Sequence, residues 1–326
     1  MRFFSVLLSL FCLAFSLEAA KTVKLCSDNP IGDDWFERVN QQLAPFDVFL
    51  ERIDLTSYVS EEKAPKDPII FYNCWWKALP LLTYRSLQDR LTLFLWEPPT
   101  VYPHLYKPEM LNKFTRVYTW DDHLVDNQHC FKFYYPCLQG MIHDVIPFAG
   151  KKLCTQVSAN KHSSHPNELY SKREEVIQFF ESFPNDDFVF YGYGWENGGY
   201  RTYGGAPDDK IRTIRHYRFC FCYENIKDID GYVTEKIFDC FTAGCVPIYW
   251  GASNIGAYIP RSCFIDRRDF NSLEELYDFL KNMSAHEYEN YLRNIQAYIV
   301  SKKAEVYDKP YFDNLLLQAI LWAAAS

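Results

Sequence analysis

Apolar residues in the first half of the chain fall into short continuous runs. Residues 22–26, 47–50, 69–72, 91–95 and 117–119 are rich in β-branched and aromatic types. Several are apolar throughout, as strands covered on both faces are. Residues 131–135 are a candidate to close that set, and helical or turn-rich pieces separate the runs. Residues 141–150 carry little periodicity and read as a connection. A second alternation follows: a strand at 152–158, a helix at 168–180, a strand at 188–191 and a short helix near 209–216. Ser272 with Glu275 three residues later predicts a capping box. Leu273, Leu276, Tyr277 and Leu280 then follow helical spacing. Residues 285–308 and 311–325 read as C-terminal helices. Glycine and proline gather in 192–207, which predicts a loop or lid.

Alternating strands and helices imply an α/β fold. With 326 residues there is room for two domains of about 150 residues each. The pattern sets them at 21–148 and 149–326, each Rossmann-like. A hydrophobic content of 48% and an aromatic content of 18% indicate a folded, enzyme-sized protein. The formal net charge of -8, from 34 basic and 42 acidic residues, argues against a general nucleic-acid binder. Residues 1–20 join one arginine to an apolar run of about 15 residues, short of a comfortable membrane span. They read as a signal peptide or an uncleaved signal anchor. Cys12 lies in that segment, and the other ten of the 11 cysteines form an even set that export would permit to pair. Cys220, Cys222, Cys240 and Cys245 fall on expected core strands and a helix, where cysteine is usually a small buried hydrophobe. Their spacing predicts no structural zinc. Asn282-Met283-Ser284 is a glycosylation sequon, meaningful on a eukaryotic secretory route.

The chemistry concentrates between Tyr217 and Gly251, which reads as strand, loop, helix and strand. Glu235 and Lys236 fall in the first turn of that helix, and Gly244 is placed to stop it. A helix start offers unpaired N–H groups and partial positive charge, and the lysine adds a full one. The arrangement suits a diphosphate. An ordinary strand-helix-strand unit with solvated charges would read the same way.

The fixed positions in this stretch are Tyr223-Glu224-Asn225, Tyr232-Val233-Thr234-Glu235-Lys236 and Ala243-Gly244-Cys245-Val246-Pro247. In that order they resemble the donor-binding signature of the α-1,3-fucosyltransferases, glycosyltransferase family 10. The resemblance implies a GT-B fold: two Rossmann-like domains facing a cleft that holds the site, with C-terminal helices. It also implies inverting transfer of L-fucose from GDP-fucose to a hydroxyl of a glycan acceptor. Such a reaction needs a base for the acceptor proton and cations for the departing diphosphate.

Glu97, in Trp96-Glu97-Pro98-Pro99, is the expected base. It follows an apolar strand, and apolar neighbours would raise its pKa. The family places Glu-Ser-Pro here, and this chain has Pro98 for the serine. A strand-end glutamate in a proline-rich turn is the alternative. For the phosphates the resemblance implies Lys236 and Arg173, a guanidinium being able to clamp two oxygens. The family's adjacent Ser-Asn pair is spread here over Ser158-Ala159-Asn160. A surface arginine paired with Glu174 or Glu175 is the alternative for Arg173. Glu235 is expected on a ribose or fucose hydroxyl, and Asn225 and Tyr232 in the nucleotide pocket. Glu224, Lys210 and Tyr217 are expected to support the site. Trp195 is a candidate acceptor contact, whereas Trp75 and Trp76 read as core.

No cofactor is implied, and a divalent metal would at most stimulate. Asp228-Ile229-Asp230 has a manganese-binding form but falls in the motif's variable loop. Asp121-Asp122-His123 is more simply a turn or helix cap. The implied partners are GDP-fucose and a glycan, with membrane contact only through the N-terminal segment. Location would be a Golgi-type lumen in a eukaryote or the envelope in a bacterium. A GT-B transferase for another nucleotide sugar, or an inactive relative that binds sugar nucleotides, are the competing functions.

Overall fold

The computed structural model describes residues 20–28, 30–53 and 66–326. The expected targeting segment lies outside them except for Ala20. The chain divides into two compact units, one of residues up to Thr92 with Leu317–Ser326, the other Leu93–Leu316. This division falls inside a strand, after Thr92. Residues beyond Thr119 are tied to later elements. Asp122 N donates to Asp230 O at 3.2 Å, Leu138 N to Tyr307 O at 2.9 Å and Ile142 N to Thr242 O at 3.0 Å.

In the first unit, β1 (Lys21–Ser27), α1 (Asp33–Leu43), β2 (Val48–Arg52) and β3 (Ile69–Tyr72) follow in order. The strands are parallel, with β1 between the other two; Thr22 faces Phe49 and Lys24 faces Ile69. Their inward residues Val23, Leu25, Leu50, Ile69 and Phe71 are buried. Asn40 of α1 clips onto β2, donating to Leu50 O at 2.9 Å and accepting from Leu50 N at 2.7 Å. Trp76, expected in the core, is instead exposed, with the Lys77 ammonium 5.2 Å from its ring. A tight turn, Ala78 N to Trp75 O at 2.9 Å, directs it outward. β4 (Leu91–Leu95) carries the chain into the second unit.

The second unit continues with α2 (Pro108–Leu111), β5 (Arg116–Thr119), β6 (Cys130–Lys132), β7 (Lys152–Val157) and α3 (Tyr170–Glu181). Next come β8 (Phe188–Tyr191), α4 (Lys210–Ile214), β9 (Tyr217–Tyr223), α5 (Glu235–Thr242), β10 (Val246–Trp250), α6 (Ile255–Tyr258) and β11 (Ile265–Asp266). α7 (Leu273–Asn282) and α8 (Ala285–Ile299) follow, and α9 (Lys309–Ala325) ends the chain, its residues from Leu317 on belonging to the first unit. None of the described helices is long and apolar enough to cross a membrane.

Five parallel strands lie in the order β11-β10-β9-β7-β8. The fold is α/β with parallel sheets. Strand β9 shows why it has two covered faces. Phe219, Phe221 and Tyr223 pack with Val176, Ile177 and Phe180 of α3, while Cys220 and Cys222 pack with Ile237, Phe238 and Phe241 of α5. The period of two along a strand sends large rings to one side and small thiols to the other. The ten cysteines among the described residues are free thiols. The chain leaves β7 toward β8 on one side and returns to β9 on the other. That reversal opens a crevice at the carboxyl ends of β7 and β9, where such sheets bind ligands.

Helix ends follow their caps. Gly244 takes a φ of 62° just past α5, the left-handed geometry that ends helices at glycine. Ser272 accepts from Glu275 N at 3.2 Å, but the Glu275 carboxylate goes to Asn271 N at 2.8 Å, so the expected box is half formed. A complete capping box instead starts α8, with Ser284 and Glu287 exchanging bonds. Replacing Ser284 with alanine is expected to lower stability by about 1 kcal/mol. A urea unfolding midpoint equal to that of the parent protein would contradict this.

Candidate active site

The site is built on the loop between β9 and α5. Directly after β9, Glu224 turns inward and is 0% exposed. Its carboxylate accepts from Thr234 N at 3.0 Å and from the Thr234 hydroxyl at 3.0 and 2.8 Å. Lys236 Nζ lies 3.1 Å from the same carboxylate and 3.4 Å from Glu235 Oε1. Thr234 also caps α5, its hydroxyl accepting from Lys236 N at 3.4 Å. One buried acid therefore sets both the start of the helix and the place of its lysine.

The charges sort themselves accordingly. Burial works against the Lys236 ammonium, yet Glu224 and Glu235 hold its pKa above the ordinary value. Burial also opposes the Glu235 carboxylate, but Lys236 and Lys210 bring its pKa down to about 2. Glu235 is half-exposed, and that exposed surface borders a recess in the protein. Lys210, on α4, pairs with Asp239 at 2.6 Å; burial opposes its charge, and Asp239 and Glu235 raise its pKa nonetheless.

Arg173 does not lie on the surface of α3. It is buried, and its Nη2 donates to Tyr223 O at 2.7 Å and to Asn225 Oδ1 at 2.9 Å. Burial holds its pKa below the ordinary value. The alternative pairing with Glu174 or Glu175 is absent: Glu174 accepts from Gln178 and Glu175 pairs with Lys172.

A cavity of about 300 Å³, lined only by residues of the second unit, gathers most of these groups. Glu97, Arg173, Lys210, Asn225, Tyr232, Glu235 and Lys236 all border it. Glu224 lies beneath them. Tyr217 does not reach the cavity, and its hydroxyl is 2.8 Å from that of Tyr191. Trp195 is misplaced for an acceptor contact. It is 4% exposed, donates its indole N–H to Ser158 O at 2.7 Å and packs against Phe190 and Tyr200. The glycines around it serve close packing: a Cβ on Gly192 would lie 1.9 Å from Ser158 O.

Gln156, Tyr135 and Lys161 also line the cavity, though the sequence motifs do not mark them. Gln156 carried a usable signal, since a lone amide in an apolar strand needs partners; its Nε2 donates to Arg173 O at 3.2 Å. The Asp228 and Asp230 side chains diverge, Asp228 to Lys227 at 2.8 Å and Asp230 to His123 at 3.4 Å. Asp121 forms the expected turn, accepting from His123 N at 3.0 Å. Asp122 joins Lys132, Asn254 and Tyr258, and Asn254 Oδ1 in turn accepts from Gly231 N at 3.0 Å.

Comparison with known families decides the class. The family model described as glycosyltransferase family 10 (fucosyltransferase) C-term matches residues 150–314. The chain belongs to this family. An α-(1,3)-fucosyltransferase of Helicobacter pylori is 26% identical over 230 residues, 67% of this chain and 44% of that protein. An α-(1,4)-fucosyltransferase of Arabidopsis thaliana is 41% identical over 71 residues, 22% of this chain and 18% of its own length. The Mus musculus 4-galactosyl-N-acetylglucosaminide 3-α-L-fucosyltransferase 9 is 40% identical over 87 residues, 26% of this chain and 24% of its own length. The chain thus spans less than half of each of these relatives. Among solved structures, an α1,3-fucosyltransferase with GDP superposes with a TM-score of 0.54 at 15% identity, covering 94% of this chain and 92% of that one. A glycosyltransferase from Rickettsia africae superposes at 0.56 with 8% identity, covering 94% of this chain and 98% of that one. Those two likenesses are of fold, and they place the family 10 chain among GT-B proteins.

The depressed carboxyl of Glu235 has a consequence for stability. Its folded pKa of about 2 lies below the ordinary 4.5, so the unfolded chain takes up the proton first on acidification. The stabilisation is complete above about pH 4.5 and is lost as pH falls towards 2. Glu235→Gln is expected to flatten the acid limb of the stability profile in that window. Urea unfolding at several pH values checks it, and parallel limbs for both proteins would refute it.

Proposed function

We propose that this chain is an inverting fucosyltransferase of α-1,3 type, moving L-fucose from GDP-fucose to a hydroxyl of an oligosaccharide or glycoconjugate. The observation that carries the reading is one cavity with Glu97 on its wall together with Lys236, Arg173 and Lys210. The fold shared with an α1,3-fucosyltransferase solved with GDP supports the choice of nucleotide.

In this reading the diphosphate sits at the start of α5, against Lys236 and Arg173. The fucose faces Glu97. The acceptor oxygen attacks the anomeric carbon from the face opposite the phosphate, and Glu97 takes the acceptor proton. The bond from that carbon to phosphate oxygen breaks, and its electron pair leaves with GDP. Lys236 then balances charge gained by the leaving group, which is worth more in a recessed site than in water. Glu235, held ionised, accepts hydrogen bonds from a ribose or fucose hydroxyl. Asn225 and Tyr232 shape the nucleotide pocket, Glu224 and Lys210 support the charges, and Tyr217 supports β9 from outside the cavity. The chemistry calls for no cofactor, with a divalent metal at most stimulatory. A secretory-route or envelope location, with membrane contact through residues 1–20, fits such an activity.

The test is transfer from radiolabelled GDP-fucose to a panel of acceptors. Glu97→Gln is expected to retain GDP binding and lose transfer by about 100-fold or more. Lys236→Ala is expected to weaken GDP by about tenfold, or ~1.4 kcal/mol. Transfer by Glu97→Gln at the parent rate would sink the base assignment. Unchanged GDP affinity in Lys236→Ala would remove the phosphate contact, and turnover of a different nucleotide sugar in preference would displace the donor.

A further inference from the structure

Beyond β4 the chain runs through Trp96 and Glu97 into Pro98 and Pro99, neither of which has an N–H to donate. The carbonyls of Trp96 and Glu97 are met by side chains. The Trp96 carbonyl accepts from the Tyr135 hydroxyl and also from the Trp120 indole N–H, the latter at 3.1 Å. The Glu97 carbonyl accepts from the Tyr106 hydroxyl at 2.8 Å. A carbonyl oxygen has two lone pairs, and at Trp96 each meets a donor carried on a rigid ring. Three aromatic residues from separate segments thereby orient two successive peptide groups, and with them the direction in which the Glu97 side chain leaves the backbone.

The same rings reach the donor motif. The Trp120 ring lies 4.4 Å from that of Tyr232, and the Tyr135 ring 6.3 Å from it. Gly231, with φ of 85°, closes the contact, since a Cβ there would lie 2.3 Å from Trp120 O.

We propose that Tyr106, Trp120 and Tyr135 are positioning residues for sugar transfer, holding the Trp96-Glu97 backbone so that the Glu97 carboxylate is aimed at the acceptor proton and registered against Tyr232. The proposal rests on the reading of Glu97 as the base. Burial pushes the Tyr106 and Tyr135 phenols well above their ordinary pKa, so both remain donors across the working range. Loosening either bond leaves the phosphate contacts of α5 intact and misplaces the carboxylate alone.

Tyr106→Phe and Tyr135→Phe delete one hydroxyl each and keep the rings. Each is expected to lower kcat by about 10- to 100-fold, the scale of a small misplacement. GDP affinity and donor KM should stay within about twofold of the parent. In a Glu97→Gln background neither change should lower the residual rate further, because both act through Glu97. Parent-like kcat in both tyrosine variants, a rise in donor KM that accounts for the loss, or full additivity with Glu97→Gln would each overturn the positioning role. Transfer by Glu97→Gln at the parent rate would instead overturn the base reading itself, a separate outcome. Thermal unfolding of both variants is compared with that of Ser284→Ala, whose kcat should remain that of the parent. A rate loss in Ser284→Ala equal to that of the tyrosine variants would assign their effect to general destabilisation and refute the proposal.

Discussion

The second unit's site depends on a buried acid. Glu224 is fully enclosed, and a carboxyl group out of water is tolerated only where it finds hydrogen-bonding partners. Thr234 and Lys236 meet that need. In doing so they draw the loop after β9 closed, fix where α5 begins and bring its first turn to the cavity. The requirement also explains the order of residues. An acid at the strand end demands a hydroxyl at the helix cap, and the lysine two positions later completes the set.

Three cations around the cavity already have partners within the protein. Lys236 sits between Glu224 and Glu235, Lys210 against Asp239, and Arg173 against a carbonyl and an amide oxygen. Cations held this way need little reorganisation when negative charge develops nearby, the condition under which fixed electrostatics are most effective. Under the proposed function, a diphosphate that draws on Lys236 would compete with two carboxylates already beside it, which would temper ground-state attraction while charge growing on a leaving group is still met.

Much of this was legible in the chain because local chemistry and global fold agree there. The run from Tyr217 to Gly251 states its strand, cap, helix and stop in successive residues, and each element formed as its pattern required. Arg173 was legible by type but not by environment; helical spacing alone could not distinguish a surface arginine from one folded beneath Tyr223. Trp195 misled for the opposite reason. A tryptophan among glycines suggests an exposed platform, whereas here the glycines let backbones approach closely enough to enclose it. The capping boxes show how neighbours arbitrate: Glu275 had Asn271 N within reach and took it, while Glu287 returned to Ser284. The bonds that tie residues beyond Thr119 to later elements leave no local pattern, because they link positions 100 or more residues apart, as Asp122 and Asp230 do.

The region around Glu97 is the least readable from sequence, and the reason is physical. Its order comes from side chains bonding to backbone carbonyls, an interaction that leaves no periodic trace. Tyr106, Trp120 and Tyr135 look like ordinary apolar bulk, and their polar ends have meaning only once the fold brings them to the carbonyls of Trp96 and Glu97. Aromatic residues are suited to that task because one rigid side chain fills core volume and still carries a donor at its edge. The 18% aromatic content is therefore more than packing material here. At α5 a charged motif fixes geometry through a helix cap. On the Glu97 side rings fix it through their edges, and Tyr232, packed against Trp120, is where the two mechanisms meet.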